Sequence, residues 1–111
     1  MPIERGEVYW VAFDPSVGGE IQKTRPAIVL SNNAANQALN RIQVVPITSK
    51  TDRLYPGEAL IALRGEKRKA IASQLATASK LRFGDKLGSL SADDMARVEA
   101  AIAVQLDLTL K

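Results

Sequence analysis

Apolar and β-branched residues fall in short runs bounded by glycine, proline and asparagine, and only one segment, near the C terminus, repeats them at helical spacing. Glu7-Val8-Tyr9-Trp10-Val11-Ala12-Phe13 is the first run, closed by Asp14-Pro15, and reads as a strand and a turn. Ser16 to Thr24 has no period and carries Gly18-Gly19, so it reads as a mobile loop. Arg25-Pro26-Ala27-Ile28-Val29-Leu30-Ser31 is the second strand, its proline placed near the start, where no ladder hydrogen bond is needed. Four asparagines and three alanines between Asn32 and Asn40 favour a loop or a short helical turn. Arg41 to Thr48 is the third strand, in which Pro46 suggests an edge, a bulge or an exit near the end. A polar connector, Ser49 to Pro56, leads to a strand over Glu58 to Leu63. The basic run Arg64-Gly65-Glu66-Lys67-Arg68-Lys69 then reads as a hairpin turn into a strand over Ala70 to Gln74. Shorter strands are expected around Ala76 to Leu81 and Lys86 to Leu90.

The helix begins at Ser91, whose hydroxyl can cap the first free amides, and Asp93 and Asp94 suit the positive end of the helix dipole. Met95, Val98, Ile102 and Leu106 follow at spacings of three and four and set one apolar stripe against the body of the protein. The helix is expected to reach Gln105 to Asp107. No repeat or linker divides residues 1–111, so the chain reads as one mainly β domain, a small barrel with a C-terminal helix.

Composition narrows the chemistry. With 46% hydrophobic and 24% charged residues the chain can build a core. It has no cysteine and no histidine, which removes disulfides, thiolate metal sites and the side chain whose unperturbed pKa lies near neutrality. No metal site and no cofactor are expected. A net charge of +3 leans toward polyanions without singling out RNA. No apolar run approaches a membrane span, which reads as a cytoplasmic protein without membrane contact.

Spacing alone assigns little function. By that measure Arg25 is a strand-start residue paired with Glu20 or Glu58, Thr48 is a β-former at a strand end, and the run from Arg64 to Lys69 is a solvated hairpin tip. Tyr9 and Trp10 point to opposite faces of their strand, so one belongs to the core and the other to a surface or interface.

An ordered set of blocks changes those odds. Arg5-Gly6-Glu7-Val8-Tyr9-Trp10 with Pro15, Gly18 and Glu20, then Thr24-Arg25-Pro26-Ala27-Ile28-Val29-Leu30-Ser31-Asn32, resembles the MazF/PemK/Kid toxins. Val44-Val45-Pro46-Ile47-Thr48-Ser49 resembles that family's apolar strand ending in a catalytic Thr or Ser, and Ala72-Ser73-Gln74-Leu75 its later strand bearing a Gln. The resemblance extends across nearly the whole chain, the terminal helix included.

The resemblance implies an SH3-like small barrel of the CcdB/MazF toxin type, working as a homodimer that cuts single-stranded RNA at short motifs without a metal. It implies an antitoxin partner whose acidic, partly disordered segment covers the RNA groove, and contact with DNA only through that antitoxin. It assigns catalysis to Arg25 and Thr48 and RNA contacts to Glu20, Lys23, Ser49 and Gln74. RNA supplies its own 2′-hydroxyl nucleophile, so a chain without histidine can still stabilise and orient the reaction. A guanidinium suits the phosphorane charge because it stays protonated and presents a planar fork of donors. A non-catalytic toxin of the same fold, acting on a protein target such as a topoisomerase, is the alternative that fold alone leaves open. A basic RNA-binding module without chemistry is a third.

Overall fold

The computed structural model describes residues 2–14, 17–19 and 23–109. Seven strands form one curled antiparallel sheet: β1 (Glu7–Ala12), β2 (Thr24–Val29), β3 (Arg41–Thr48), β4 (Glu58–Leu63), β5 (Glu66–Ile71), β6 (Ala76–Ser79) and β7 (Phe83–Ser89). Their order is β4-β5-β3-β2-β1-β7, with β6 also against β3. A short helix α1 (Asn33–Ala38) joins β2 to β3, and α2 (Ala92–Leu106) packs across the sheet at the end of the chain. The expected barrel-like, mainly β fold with a C-terminal helix is therefore present.

Alternation along the strands feeds two cores. Val8, Ile28, Val45 and Ile47 point to the face covered by α2, where Met95, Val98 and Ala101 meet them. Tyr9, Val11, Ala27, Val29, Ile42 and Val44 point the other way and pack with Ile3, Phe13 and Phe83. Tyr9 is thus the core residue of the Tyr9–Trp10 pair, lying edge-on to Phe83 with ring centroids 5.6 Å apart.

β3 is the hinge of the topology. Its first half pairs with β6, from Arg41↔Ser79 to Val44↔Ala76, and its end pairs with β5 through Ile47↔Ala70 and Thr48↔Lys69. Between these partners lies a gap at Val45 and Pro46. On the other side β3 pairs with β2, where Leu30 N–H donates to the Gln43 carbonyl at 2.9 Å. Alternation from that bond turns the nitrogen of Pro46 away from β2 and into the gap. The proline therefore sits in a central strand, not at an edge or exit, and forfeits no ladder bond.

Three further departures from the sequence reading have clear causes. The turn after β4 uses only Arg64 and Gly65, both with left-handed φ of 53° and 79°, so Glu66 to Lys69 belong to strand β5 and not to a loop. β5 then ends at Ile71, and Ala72–Gln74 form a 3₁₀ turn where a strand was expected. In α2, Met95 and Val98 are buried but Leu106 is half exposed, because successive steps of four residues advance the stripe by about 40° each. Ser91 caps α2 as expected, its Oγ accepting the Asp94 N–H at 3.1 Å. Of the expected loop from Ser16 to Thr24, the positions Ser16, Glu20, Ile21 and Gln22 lie outside the described residues.

Candidate active site

The β2–β3 ladder is paired as Val29↔Val44, Ile28↔Val45 and Ala27↔Pro46, although β2 begins at Thr24 and β3 runs to Thr48. Carrying the register on by two residues sets Arg25 opposite Thr48, beyond the last paired position. A cleft of about 270 Å³ opens there, lined by Trp10, Thr24, Arg25, Pro26, Ile47, Thr48, Ser49 and Arg68. Trp10, Pro26 and Ile47 form an apolar patch, with Trp10 paired to Pro26 across β1 and β2. The polar groups come from three separate places, β2, the end of β3 and β5, so folding rather than local sequence assembles them.

Each polar side chain arrives by a different route. β2 delivers Arg25, partly buried, next to Val11 of β1. Thr48 closes β3, and its Oγ1 accepts the Lys50 N–H at 3.3 Å, which fixes the hydroxyl oxygen while the proton can still be donated. Ser49 follows at the bend, exposed and lining the same cleft. Glu58, one candidate partner for Arg25 on spacing, instead binds Lys69, with Oε1 3.0 Å from Nζ.

Of the other expected RNA contacts, Lys23 and Gln74 are not among the residues that line the cleft. Lys23 adopts a left-handed φ of 66°, its N–H donating to Asp14 Oδ1 at 2.9 Å and its carbonyl accepting from Phe13 N–H at 2.9 Å. These bonds clamp the stem that leads to Arg25. Gln74, on the 3₁₀ turn, directs Nε2 to the Gly19 carbonyl at 3.4 Å and so reaches the loop before β2. Glu20 lies outside the described residues.

Two contributors escaped the sequence reading. Arg68 belongs to the run taken as a solvated hairpin tip, yet it lines the cleft. Trp10 is 39% exposed and forms part of the same wall. A two-residue turn at Arg64-Gly65 was the available signal for Arg68, since it sets the register of everything after it.

Two larger hollows of about 600 Å³ flank α2, one lined by Leu54, Leu60 and Val104 among others and one by Leu30, Leu75 and Ile102. They are mainly apolar, and the arginine in each is already ion-paired, Arg97 with Asp94 and Arg5 with Glu99. Among the described residues no group of three or more His, Cys, Asp or Glu is placed to hold a metal ion.

The geometry defines a small, mainly β protein with a cleft that brings guanidinium and hydroxyl groups together. Residues 4–106 match the model of the PemK-like, MazF-like toxin of type II toxin-antitoxin systems, and the chain belongs to that family. It is 34% identical to endoribonuclease MazF9 of Mycobacterium tuberculosis, over 96% of this chain and 98% of that protein. It is 30% identical to the endoribonuclease toxin MazF of Escherichia coli K12, over 91% of each. Among solved structures, MazF (Form-I) from Deinococcus radiodurans matches with a TM-score of 0.86 at 27% identity, over 97% of this chain and 99% of that one. A MazE-MazF structure (Form-III) from the same organism matches with a TM-score of 0.77 at 27% identity, over 98% and 100%.

Proposed function

We propose that this toxin is a metal-independent, sequence-specific endoribonuclease that cuts single-stranded RNA in the cleft between Arg25 and Thr48. The observation that carries the reading is the placement of a guanidinium and a hydroxyl on opposite strands where the β2–β3 ladder has ended. In the reaction the RNA 2′-oxygen bonds to the adjacent phosphorus, the bond from phosphorus to the 5′-oxygen breaks, the 2′ proton passes to solvent and the leaving oxygen takes one from water. The products are a 2′,3′-cyclic phosphate, open to hydrolysis to a 3′-phosphate, and a 5′-hydroxyl end. Arg25 donates to the non-bridging oxygens as their charge grows, and Thr48 holds the phosphate or the 2′-hydroxyl in line. Ser49 supports Thr48, while Lys23, Gln74 and Glu20 contact flanking RNA.

The test is to incubate the purified protein with a long single-stranded RNA in EDTA and map the ends. Cuts at a recurring short motif with 5′-hydroxyl ends, lost in Arg25→Ala, are expected. Intact RNA, 5′-phosphate ends, or undiminished cutting by Arg25→Ala would overturn the reading. The partner class follows from the family, whose toxins are held by antitoxins; we extend this to an acidic segment covering the cationic cleft. We also carry homodimerisation forward, tested by light scattering for twice the 12.0 kDa chain mass. Among the described residues no helix is long and apolar enough to cross a membrane. We place the activity in the cytoplasm, where its RNA substrate lies.

A further inference from the structure

β5, β3 and β2 are neighbours in the sheet, in that order. Thr48 pairs with Lys69 on the β5 side, and one step beyond that pair brings Ser49 level with Arg68. On the β2 side the continued register brings Thr48 level with Arg25. The cleft thus receives a guanidinium from each strand flanking β3, with the Thr48 and Ser49 hydroxyls between them. Two strand spacings separate the backbones of Arg25 and Arg68 by about 10 Å, a span that two arginine side chains can close onto one phosphate.

Arg68 is also held for such a task. Its side chain is 28% exposed, Nη2 donates to Glu66 Oε2 at 2.7 Å and Nη1 donates to the Lys67 carbonyl at 3.0 Å. A guanidinium has five N–H donors, so these two bonds fix its plane and leave donors for an anion. Glu66 lies outward and exposed, at two residues' spacing along the same strand.

We propose that Arg68 is a second catalytic arginine, which donates from β5 to a non-bridging oxygen of the scissile phosphate while Arg25 donates from β2. A phosphodiester carries one negative charge and the phosphorane that follows attack by the 2′-oxygen carries two, so a second guanidinium binds the transition state more tightly than the ground state. The inference rests on the nuclease reading given above for the same cleft.

The test uses the full chain and a short RNA with one mapped cut site, under single-turnover conditions with protein in saturating excess. Wild type, Arg25→Ala, Arg68→Ala and Arg68→Lys are compared, and affinity is measured on the same RNA with a 2′-deoxy sugar at the cut. Arg68→Ala is expected to lower the saturated cleavage rate about 10- to 100-fold, the cost of one charge-assisted hydrogen bond, with affinity for the deoxy RNA near that of wild type. Arg68→Lys, which keeps charge and stem and serves if the alanine variant fails to fold, is expected to fall between the two. A loss confined to affinity would make Arg68 a clamp on a flanking phosphate and overturn the proposal. So would an unchanged rate in both variants. Intact RNA with the wild-type protein would instead sink the nuclease reading itself, and undiminished cutting by Arg25→Ala would sink the assignment of the Arg25–Thr48 cleft, whatever Arg68 does.

Discussion

Thr48 and Lys69 face each other as the last pair of the β3–β5 ladder, and the lysine of that pair holds the very connector that leaves the threonine. Lys69 is 9% exposed, its Nζ lies 3.0 Å from Glu58 Oε1, donates to the Arg53 carbonyl at 2.9 Å, and sits 5.7 Å from the centre of the Tyr55 ring. Glu58 Oε1 also accepts the Tyr55 N–H at 2.8 Å. The segment from Ser49 to β4 is thereby pinned to β5. Removing one partner of a buried, hydrogen-bonded ion pair strands the other, so Lys69→Met should lower stability by about 3 kcal/mol, read by urea unfolding. The double variant Lys69→Met with Glu58→Gln should recover much of that loss. A Lys69→Met protein as stable as wild type would show that the pair holds nothing.

Thr48 is expected to act through its hydroxyl alone. Thr48→Ala should slow RNA cleavage by about 100- to 1,000-fold, the range for losing one preorganised donor, whereas Thr48→Ser should retain most of the activity. The comparison separates chemistry from packing, because serine loses the methyl but keeps the Oγ that accepts the Lys50 N–H. Equal loss in both variants, measured under saturating protein, would point to packing of the Thr48 methyl instead.

Much of this architecture was legible in the chain because it depends on local patterns. β3 and β4 match the expected runs from Arg41 to Thr48 and from Glu58 to Leu63, and the Ser91 cap fixes the start of α2. The misreadings share one cause. Arg68 and Lys69 look like loop residues because charge in a run normally marks a solvated surface, yet their positions are set by a two-residue turn and by pairing with strands on both sides. Pro46 likewise looks like an edge residue until the gap between β6 and β5 is known. The meeting of Arg25 with Thr48 is a matter of register between distant segments, which the residues themselves do not declare; the family resemblance supplied it.

Trp10 gives a direct readout of the cleft. It is the one tryptophan of the chain, it is partly exposed, and it lines the cleft beside Pro26 and Arg25. Its emission should change when a 2′-deoxy, uncleavable RNA binds, and Trp10→Phe should lose the signal while keeping cleavage. If a base stacks on the indole, Trp10→Ala should weaken RNA binding by about 1–3 kcal/mol. Emission unaltered by saturating RNA would place the bound strand elsewhere.

The acid sensitivity of the fold should lie at Glu7, which is not among the residues lining the cleft. Burial pushes the Glu7 carboxyl up, but the bonds it accepts from Lys86, from the Glu4 N–H and from the Tyr9 hydroxyl outweigh that and hold its pKa below the ordinary value. The same contact works on Tyr9 in the other sense, since burial first and the bond to Glu7 next push the phenol up to about 12 and keep it a donor. A carboxyl with a depressed pKa in the folded state contributes stability that is fully present above the unfolded value, about 4.3, and is lost as the pH falls through the lower folded value. Glu7→Gln should therefore be less stable than wild type by about 1–2 kcal/mol at pH 7, and the gap should shrink below about pH 4 as the native carboxylate protonates. Urea unfolding of both proteins at the two pH values checks this. A gap that stays constant into acid would mean that shape rather than charge makes Glu7 stabilising.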